Sequence, residues 1–209
     1  MRKTCIVSFP RCGRHLLHDL FVAAYGLPER HIDRGNPDKA LVESRDLVVS
    51  HNVQPELESD GRHCIVVTRN PFEALHSFMR LQHPDRLTYS AFEEALFCTN
   101  GSDHSTSPCN WINYWKTFHR HHVLLPDYAC PRTFVPYIQL VENPVSTMTH
   151  IANFVGQPCD AEVAVKKVGP IAFRTNHFAE GSLWDDRLIT KTLDALQPEF
   201  DCMMETGLI

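Results

Sequence analysis

The chain of 209 residues predicts an α/β fold with a central parallel sheet flanked by helices. Short runs rich in β-branched and aromatic residues alternate with runs whose apolar residues recur at helical spacing. Strands joined through helices lie parallel, and ligands of such sheets gather beyond the carboxyl ends of the strands. The segments able to carry chemistry all fall at those ends. The length predicts one domain spanning 1–209, large enough for a full core.

Taken in order, Thr4-Cys5-Ile6-Val7-Ser8-Phe9 reads as a buried strand, and 15–25 as a helix with Leu17, Leu20, Phe21 and Ala24 on one face before Gly26 closes it. Residues 46–50 form a short strand ending at His51. Residues 63–68 form another strand, followed by Arg69-Asn70-Pro71, with Asn70 suited to N-cap and Pro71 to the first position of a helix carrying Leu75, Phe78 and Met79 inward. Helical patterns follow at 90–97 and 109–121, the second bearing Trp111, Tyr114, Trp115 and Phe118, whose aromatic rings are read as core. Residues 133–138 read as a strand in which Pro136 demands an edge or a bulge. Asn143-Pro144 opens a helix that runs to Phe154 and is capped by Gly156. The composition marks 99–108 and 26–40 as the mobile segments.

Phe9-Pro10-Arg11-Cys12-Gly13-Arg14-His15-Leu16 joins the first strand to the first helix. A turn at Pro10 and Gly13 that opens a helix aims backbone N–H groups and the helix dipole at one point, and Arg11 and Arg14 add full positive charge there. Phosphate or sulfate suits such a junction. The Walker A loop needs two glycines, a lysine and a hydroxyl for magnesium, whereas this loop has Gly13 alone and no Lys-Ser/Thr pair.

The segment resembles the 5′-phosphosulfate loop of the cytosolic-type sulfotransferases, Y-P-K-S-G-T-T-W. Phe9, Pro10, Arg11 and Gly13 fall on the pattern; Cys12, Arg14, His15 and Leu16 depart from it. Arg69-Asn70-Pro71 with Ser77 eight residues beyond the arginine resembles the family's R-[ND]-P…S element, which holds the donor's 3′-phosphate. His51 resembles the histidine of the K-T-H segment, the general base, with Val49 where the family has lysine. Histidine suits that work because its unperturbed pKa is about 6.5. Residues 109–121 resemble the W-x(3)-W helix, and 137–158 the Y-E-D-L…N-P…F-L-G-x-P segment with Ile138 and Gln139 replacing the acidic pair. The basic C-terminal loop R-K-G-x-x-G-x-W is reduced to Phe178-Ala179-Glu180-Gly181-Ser182-Leu183-Trp184.

The resemblance implies a P-loop-like sulfotransferase fold and an enzyme that moves a sulfuryl group from 3′-phosphoadenylyl sulfate (PAPS) to a hydroxyl or amine, leaving adenosine 3′,5′-bisphosphate (PAP), without metal. It implies His51 and Arg11 as catalytic residues. It implies donor binding by Arg11, Cys12, Gly13, Arg14 and His15 at the 5′ end and by Arg69 and Ser77 at the 3′-phosphate. Gly181 belongs to the reduced C-terminal loop, and Phe173 or Trp184 is placed to replace the adenine stack that Leu16 cannot make. Lys166, Lys167 or Arg174 is placed to supply the lost basic pair. The acceptor stays open among small molecules, glycans and lipids. A noncatalytic nucleotide-binding module stands as the alternative, with a small P-loop kinase behind it.

Composition narrows the setting. A net charge of −5 offers no global attraction for nucleic acid, so an anion site must be a local concentration of arginines. No run is long and apolar enough to span a membrane, and Met1-Arg2-Lys3 leads into a strand rather than a signal-peptide core. The eight cysteines are scattered without C-x-x-C, which favours reduced thiols and a cytoplasmic protein, monomeric or oligomeric. Cys12, at a helix N-terminus beside two arginines, is expected to have a lowered pKa and to be reactive. His119-Arg120-His121-His122 lacks a second ligand cluster for a metal and is read as a solvated helix end.

Overall fold

Each of the strand-like runs forms a strand, and all pair in parallel. The computed structural model describes residues 3–27, 32–33, 46–51, 61–82, 88–98, 110–125, 130–169 and 183–209. Its sheet holds β1 (Thr4–Ser8), β2 (Ile32–Asp33), β3 (Leu47–Ser50), β4 (His63–Thr68) and β5 (Arg132–Pro136) in the order β2-β3-β1-β4-β5. Each neighbouring pair is parallel, with Ile6 opposite Val49 on one side and Ile65 on the other. The central strands β1, β3 and β4 are buried at every residue, as a sheet covered on both faces requires. By contrast, β5 alternates buried with half-buried residues and lies at the edge, where Pro136 costs no ladder hydrogen bond to a further strand. β2 was not foreseen and falls in the segment expected to be mobile. Two residues carry no period.

The helices are α1 (Arg14–Tyr25), α2 (Pro71–Gln82), α3 (Tyr89–Phe97), α4 (Trp111–His119, continued as a π-helical turn over Arg120–Leu124), α5 (Tyr137–Glu142), α6 (Pro144–Val155), α7 (Ala161–Val168), α8 (Asp186–Leu196) and α9 (Glu199–Glu205). Their start signals act as the sequence suggests. The Asn70 side chain accepts from the Phe72 N–H at 3.0 Å, and Gly26 and Gly156 close α1 and α6 in the left-handed conformation. One boundary needs correction. The strand expected over 133–138 ends at Pro136, and Tyr137 already begins α5. The sequence reading also left out α7, α8 and α9, of which α7 packs against α1 and α8 against α4.

The histidine cluster is a second correction. His119 and His122 are buried, His119 completely, and His119 stacks on Trp115 with ring centroids 3.9 Å apart. The α-helix carries His119 inward and the π-helical turn carries His122 inward instead of fraying into solvent. The cysteines Cys5, Cys12, Cys64, Cys98, Cys130, Cys159 and Cys202 are free thiols. Among the described residues no helix is long and apolar enough to cross a membrane, and no group of His, Cys, Asp or Glu is arranged to hold a metal ion.

This strand order fixes where a ligand goes. From β1 the chain moves to β2 and β3 on one side, and from β4 to β5 on the other, so the strand order reverses between β1 and β4. Connections that leave in opposite directions open a crevice at the carboxyl ends of those two strands. The phosphate-type loop follows β1 and Arg69 follows β4.

Candidate active site

The turn between β1 and α1 is tight and held from below. Phe9 is fully buried, and the Cys12 N–H bonds the Phe9 carbonyl at 3.3 Å. Arg11 takes φ 66°, a left-handed conformation that disfavours a residue with a Cβ. This geometry sends consecutive side chains in opposite directions, with Arg11 exposed and Cys12 fully buried. Burial pushes the Cys12 thiol up to about 12, outweighing the nearby Arg69 guanidinium, so the expected lowered pKa is corrected to a raised one. Its side chain belongs to the core and its N–H is already engaged. Cys12, among the residues expected to hold the donor, is thus turned into the core.

Gly13 is the N-cap of α1, at φ 93°, and no side chain caps the helix there. A Cβ on Gly13 would stand 2.5 Å from Cδ2 of Tyr137, so the glycine answers both to its backbone and to a close approach. α3, α4, α7 and α8 each have a Thr, Asn or Asp side chain accepting from their first turn; α1 has none, and no acid in its first turn. It begins instead with Arg14 and His15. Cations at a helix N-terminus oppose the helix dipole, and a bound anion reverses that sign.

From β4 and α2 come Arg69, Glu73 and Ser77. Arg69 is 7% exposed and held on three sides: Nε donates to Glu73 Oε2 at 3.0 Å, Nη1 donates to the Arg11 carbonyl at 2.8 Å, and the guanidinium lies 4.2 Å from the centre of the Tyr137 ring. Ser77 Oγ accepts from Arg11 Nε at 3.1 Å. The two residues expected to share the 3′-phosphate are thus both tied to Arg11, one through its carbonyl and the other through its side chain.

His51 follows β3. Its Nδ1 lies 2.8 Å from the Ser8 carbonyl, and a carbonyl can only accept, so Nδ1 carries the proton and Nε2 is the basic nitrogen. The backbone is anchored as well, since the Tyr114 hydroxyl donates to the His51 carbonyl at 2.9 Å. Tyr114 itself packs against Phe9 with centroids 5.0 Å apart, so one aromatic cluster supports the phosphate-type turn and the histidine together.

A cleft of about 330 Å³ brings Arg11, Gly13, Arg14, His15, His51, Arg69 and Ser77 to one place. Pro10, Tyr137, Phe78 and Leu81 complete its wall, Leu81 being 60% exposed. The sequence reading missed Tyr137 as a site residue; the signal was its place at the head of the segment resembling Y-E-D-L. It also missed Tyr114, hidden among core aromatics. Phe173, Arg174 and Gly181 lie outside the described residues. Trp184 packs edge-on against Phe72 and Phe92 and donates to the Phe72 carbonyl, which makes it a structural residue beneath α2. Lys167 reaches the Ala23 carbonyl near the far end of α1, away from the cleft.

No family model and no curated protein matches the sequence at a significant level. Solved structures match in fold. Mouse sulfotransferase SULT7A1 complexed with PAP aligns over 99% of this chain and 88% of its own, with TM-score 0.66 and 14% sequence identity. Retinol dehydratase in complex with androsterone and the inactive cofactor PAP aligns over 96% and 81%, with TM-score 0.55 and 12% identity. The sulfotransferase domain of the Synechococcus PCC 7002 olefin synthase aligns over 100% and 95%, with TM-score 0.51 and 16% identity. At these identities the likeness speaks for architecture, and the architecture of this chain is the sulfotransferase fold.

Proposed function

We propose that this protein is a sulfotransferase, a single domain over 1–209 that moves a sulfuryl group from PAPS to a hydroxyl or amine of a small-molecule, glycan or lipid acceptor. The observation that carries this reading is the convergence of the uncapped, cationic start of α1, Arg69 with Ser77, and His51 on one cleft at the β1/β4 crevice. The PAP bound in two solved structures of the same fold supports the choice of nucleotide.

When bound, the donor supplies an activated sulfur–oxygen bond between sulfuryl group and phosphate. The N–H groups of the first turn of α1, with Arg14 and His15, hold the 5′ phosphosulfate, and Arg69 with Ser77 takes the 3′-phosphate. His51 Nε2 accepts the acceptor's proton as the acceptor oxygen bonds sulfur and the sulfur–oxygen bond to the phosphate breaks. Negative charge grows on the departing phosphate, and Arg11 faces it with a fixed positive charge that is never given up as a proton. The free thiols, two of them buried in strands, support a reducing, cytoplasmic setting.

Ligand linkage gives the test. PAP should raise the melting temperature well above the shift given by AMP, and Arg69→Ala should remove most of the difference. Radiolabelled sulfate should then pass from PAPS to members of an acceptor library. Equal stabilisation by AMP and PAP would sink the 3′-phosphate assignment; tight PAP binding without transfer to any acceptor would leave a noncatalytic nucleotide-binding module.

A further inference from the structure

We infer that His15 is a proton-coupled ligand for the donor: it is neutral in the free protein and takes up a proton when the phosphosulfate binds, so that donor affinity is set by pH. This rests on the sulfotransferase reading of the cleft and adds a regulation to it. His15 stands at the second position of α1, directly after Arg14, and lines the cleft with Arg11 and Arg14. No acidic side chain occupies the first turn, and the helix dipole places further positive charge there.

Other elements add to the same field. Arg69 comes from the end of β4 and is offset by Glu73; His51, from the end of β3, faces the same cleft with Ser77 and Tyr137. On its own helix His15 has His18 and Asp19 beside Arg14, and Asp19 is shared with His18 Nδ1 at 2.9 Å. In the free protein, partial loss of water and then Arg14 push the His15 pKa below the ordinary 6.5, with Arg11 and His18 acting the same way and Asp19 opposing. A donor inverts this. PAP alone brings about −1.5 to −2 charges on each of its two phosphates, against three cleft guanidinium groups of which one is already offset by Glu73. The excess negative charge favours imidazolium at His15, in the first turn of the helix.

The sign follows from linkage. A ligand that raises the pKa of a group takes up protons at pH values between the free and bound pKa. Affinity is therefore complete below the free pKa and falls as pH rises toward the bound one, by at most about tenfold in Kd per pH unit. His51 is the competing candidate, but its Nδ1–H already donates to the Ser8 carbonyl, and its Nε2 must stay unprotonated to act as base.

Calorimetric titration of PAP at pH 7 in buffers of different ionisation enthalpy measures the protons taken up directly. The expected result is net uptake by the unmodified protein, lost in His15→Asn and kept in His51→Asn. The difference between the unmodified protein and His15→Asn separates the residue from the titration of the phosphates themselves. Between pH 6 and 8 the Kd for PAP should rise with pH, and the rise should flatten in His15→Asn. Uptake that is absent, or unchanged in His15→Asn, overturns the inference while leaving the sulfotransferase reading intact; failure of PAP to bind at all overturns both.

Discussion

At the scale of single residues, Arg11 combines two roles that can be pulled apart. Its backbone sits in the left-handed region, and its side chain leans on Ser77 while its carbonyl accepts from Arg69. A residue with a Cβ pays about 1 kcal/mol or more for that conformation, and glycine does not. Arg11→Gly should therefore be more stable than Arg11→Ala by about 1 kcal/mol, read from denaturant unfolding, while both lose the chemical step. Arg11→Lys restores a cation and should keep a substantial part of the single-turnover rate, whereas Arg11→Ala should lose on the order of 3 kcal/mol of transition-state stabilisation. Rates at saturating donor that are equal in the Ala and Lys variants would remove Arg11 from the chemistry. His51→Ala should lower turnover by roughly 10²–10⁴-fold with PAP affinity nearly intact. Near-normal turnover would mean that no proton leaves through this histidine. Cys12, one residue further on, gives the opposite expectation to the one drawn from its neighbours. Its buried thiol should resist alkylation in the native protein at pH 8, and rapid labelling would contradict the inward turn.

At the scale of elements, the site depends on how closely α5 packs against the start of α1. Gly13 leaves 2.5 Å between an added Cβ and the Tyr137 ring, and that ring carries the Arg69 guanidinium on its face. Gly13→Ala should destabilise by about 1–3 kcal/mol, from overpacking and left-handed strain together, and should weaken PAP binding by displacing Arg69. Adding Tyr137→Ala removes the clash but not the strain, so in the double-mutant cycle the two changes should cost less together than their sum. Strict additivity would show that ring and glycine do not meet. This contact explains why the site was only partly legible in the sequence. The strands, the turn, the Asn70 cap and the place of His51 all rest on local chemistry: β-branched runs, Gly and Pro punctuation, a residue after a strand. The Arg69 bond to the Arg11 carbonyl and the Tyr137 ring over that guanidinium join residues far apart in the chain, which no period encodes. Nor does composition say which way a side chain points in a tight turn, and this is why Cys12 was misread. Only Tyr137 and Ile138, the first two residues of α5, fall inside the strand expected over 133–138, because so short a run fits either period.

At the scale of the whole molecule, the aromatic cluster that supports the site is also where acid should act on the fold. His119 is fully buried, donates Nδ1–H to the Trp115 carbonyl at 2.7 Å and stacks on the Trp115 ring, while its Nε2 has no partner among the described residues. Burial holds its pKa down at about 3, against an ordinary 6.5 when the chain unfolds. The unfolded state therefore binds one more proton than the folded state at pH values between those limits. The stability that depends on neutral His119 is complete above pH 6.5 and is lost as pH falls toward 3, with a slope of at most about 1.4 kcal/mol per pH unit. Phe9 lies against both His119 and Tyr114, with centroids 6.3 and 5.0 Å away, so loosening this cluster should also loosen the turn and the histidine that Tyr114 anchors. His119→Phe keeps the ring and removes the titration. Urea unfolding at pH 4.5 and 7 should then show a smaller acid loss in His119→Phe than in the unmodified protein, even if the variant starts from a lower stability because the Trp115 carbonyl has lost its donor. An acid loss of the same size in both proteins would place the acid-sensitive group elsewhere in the chain.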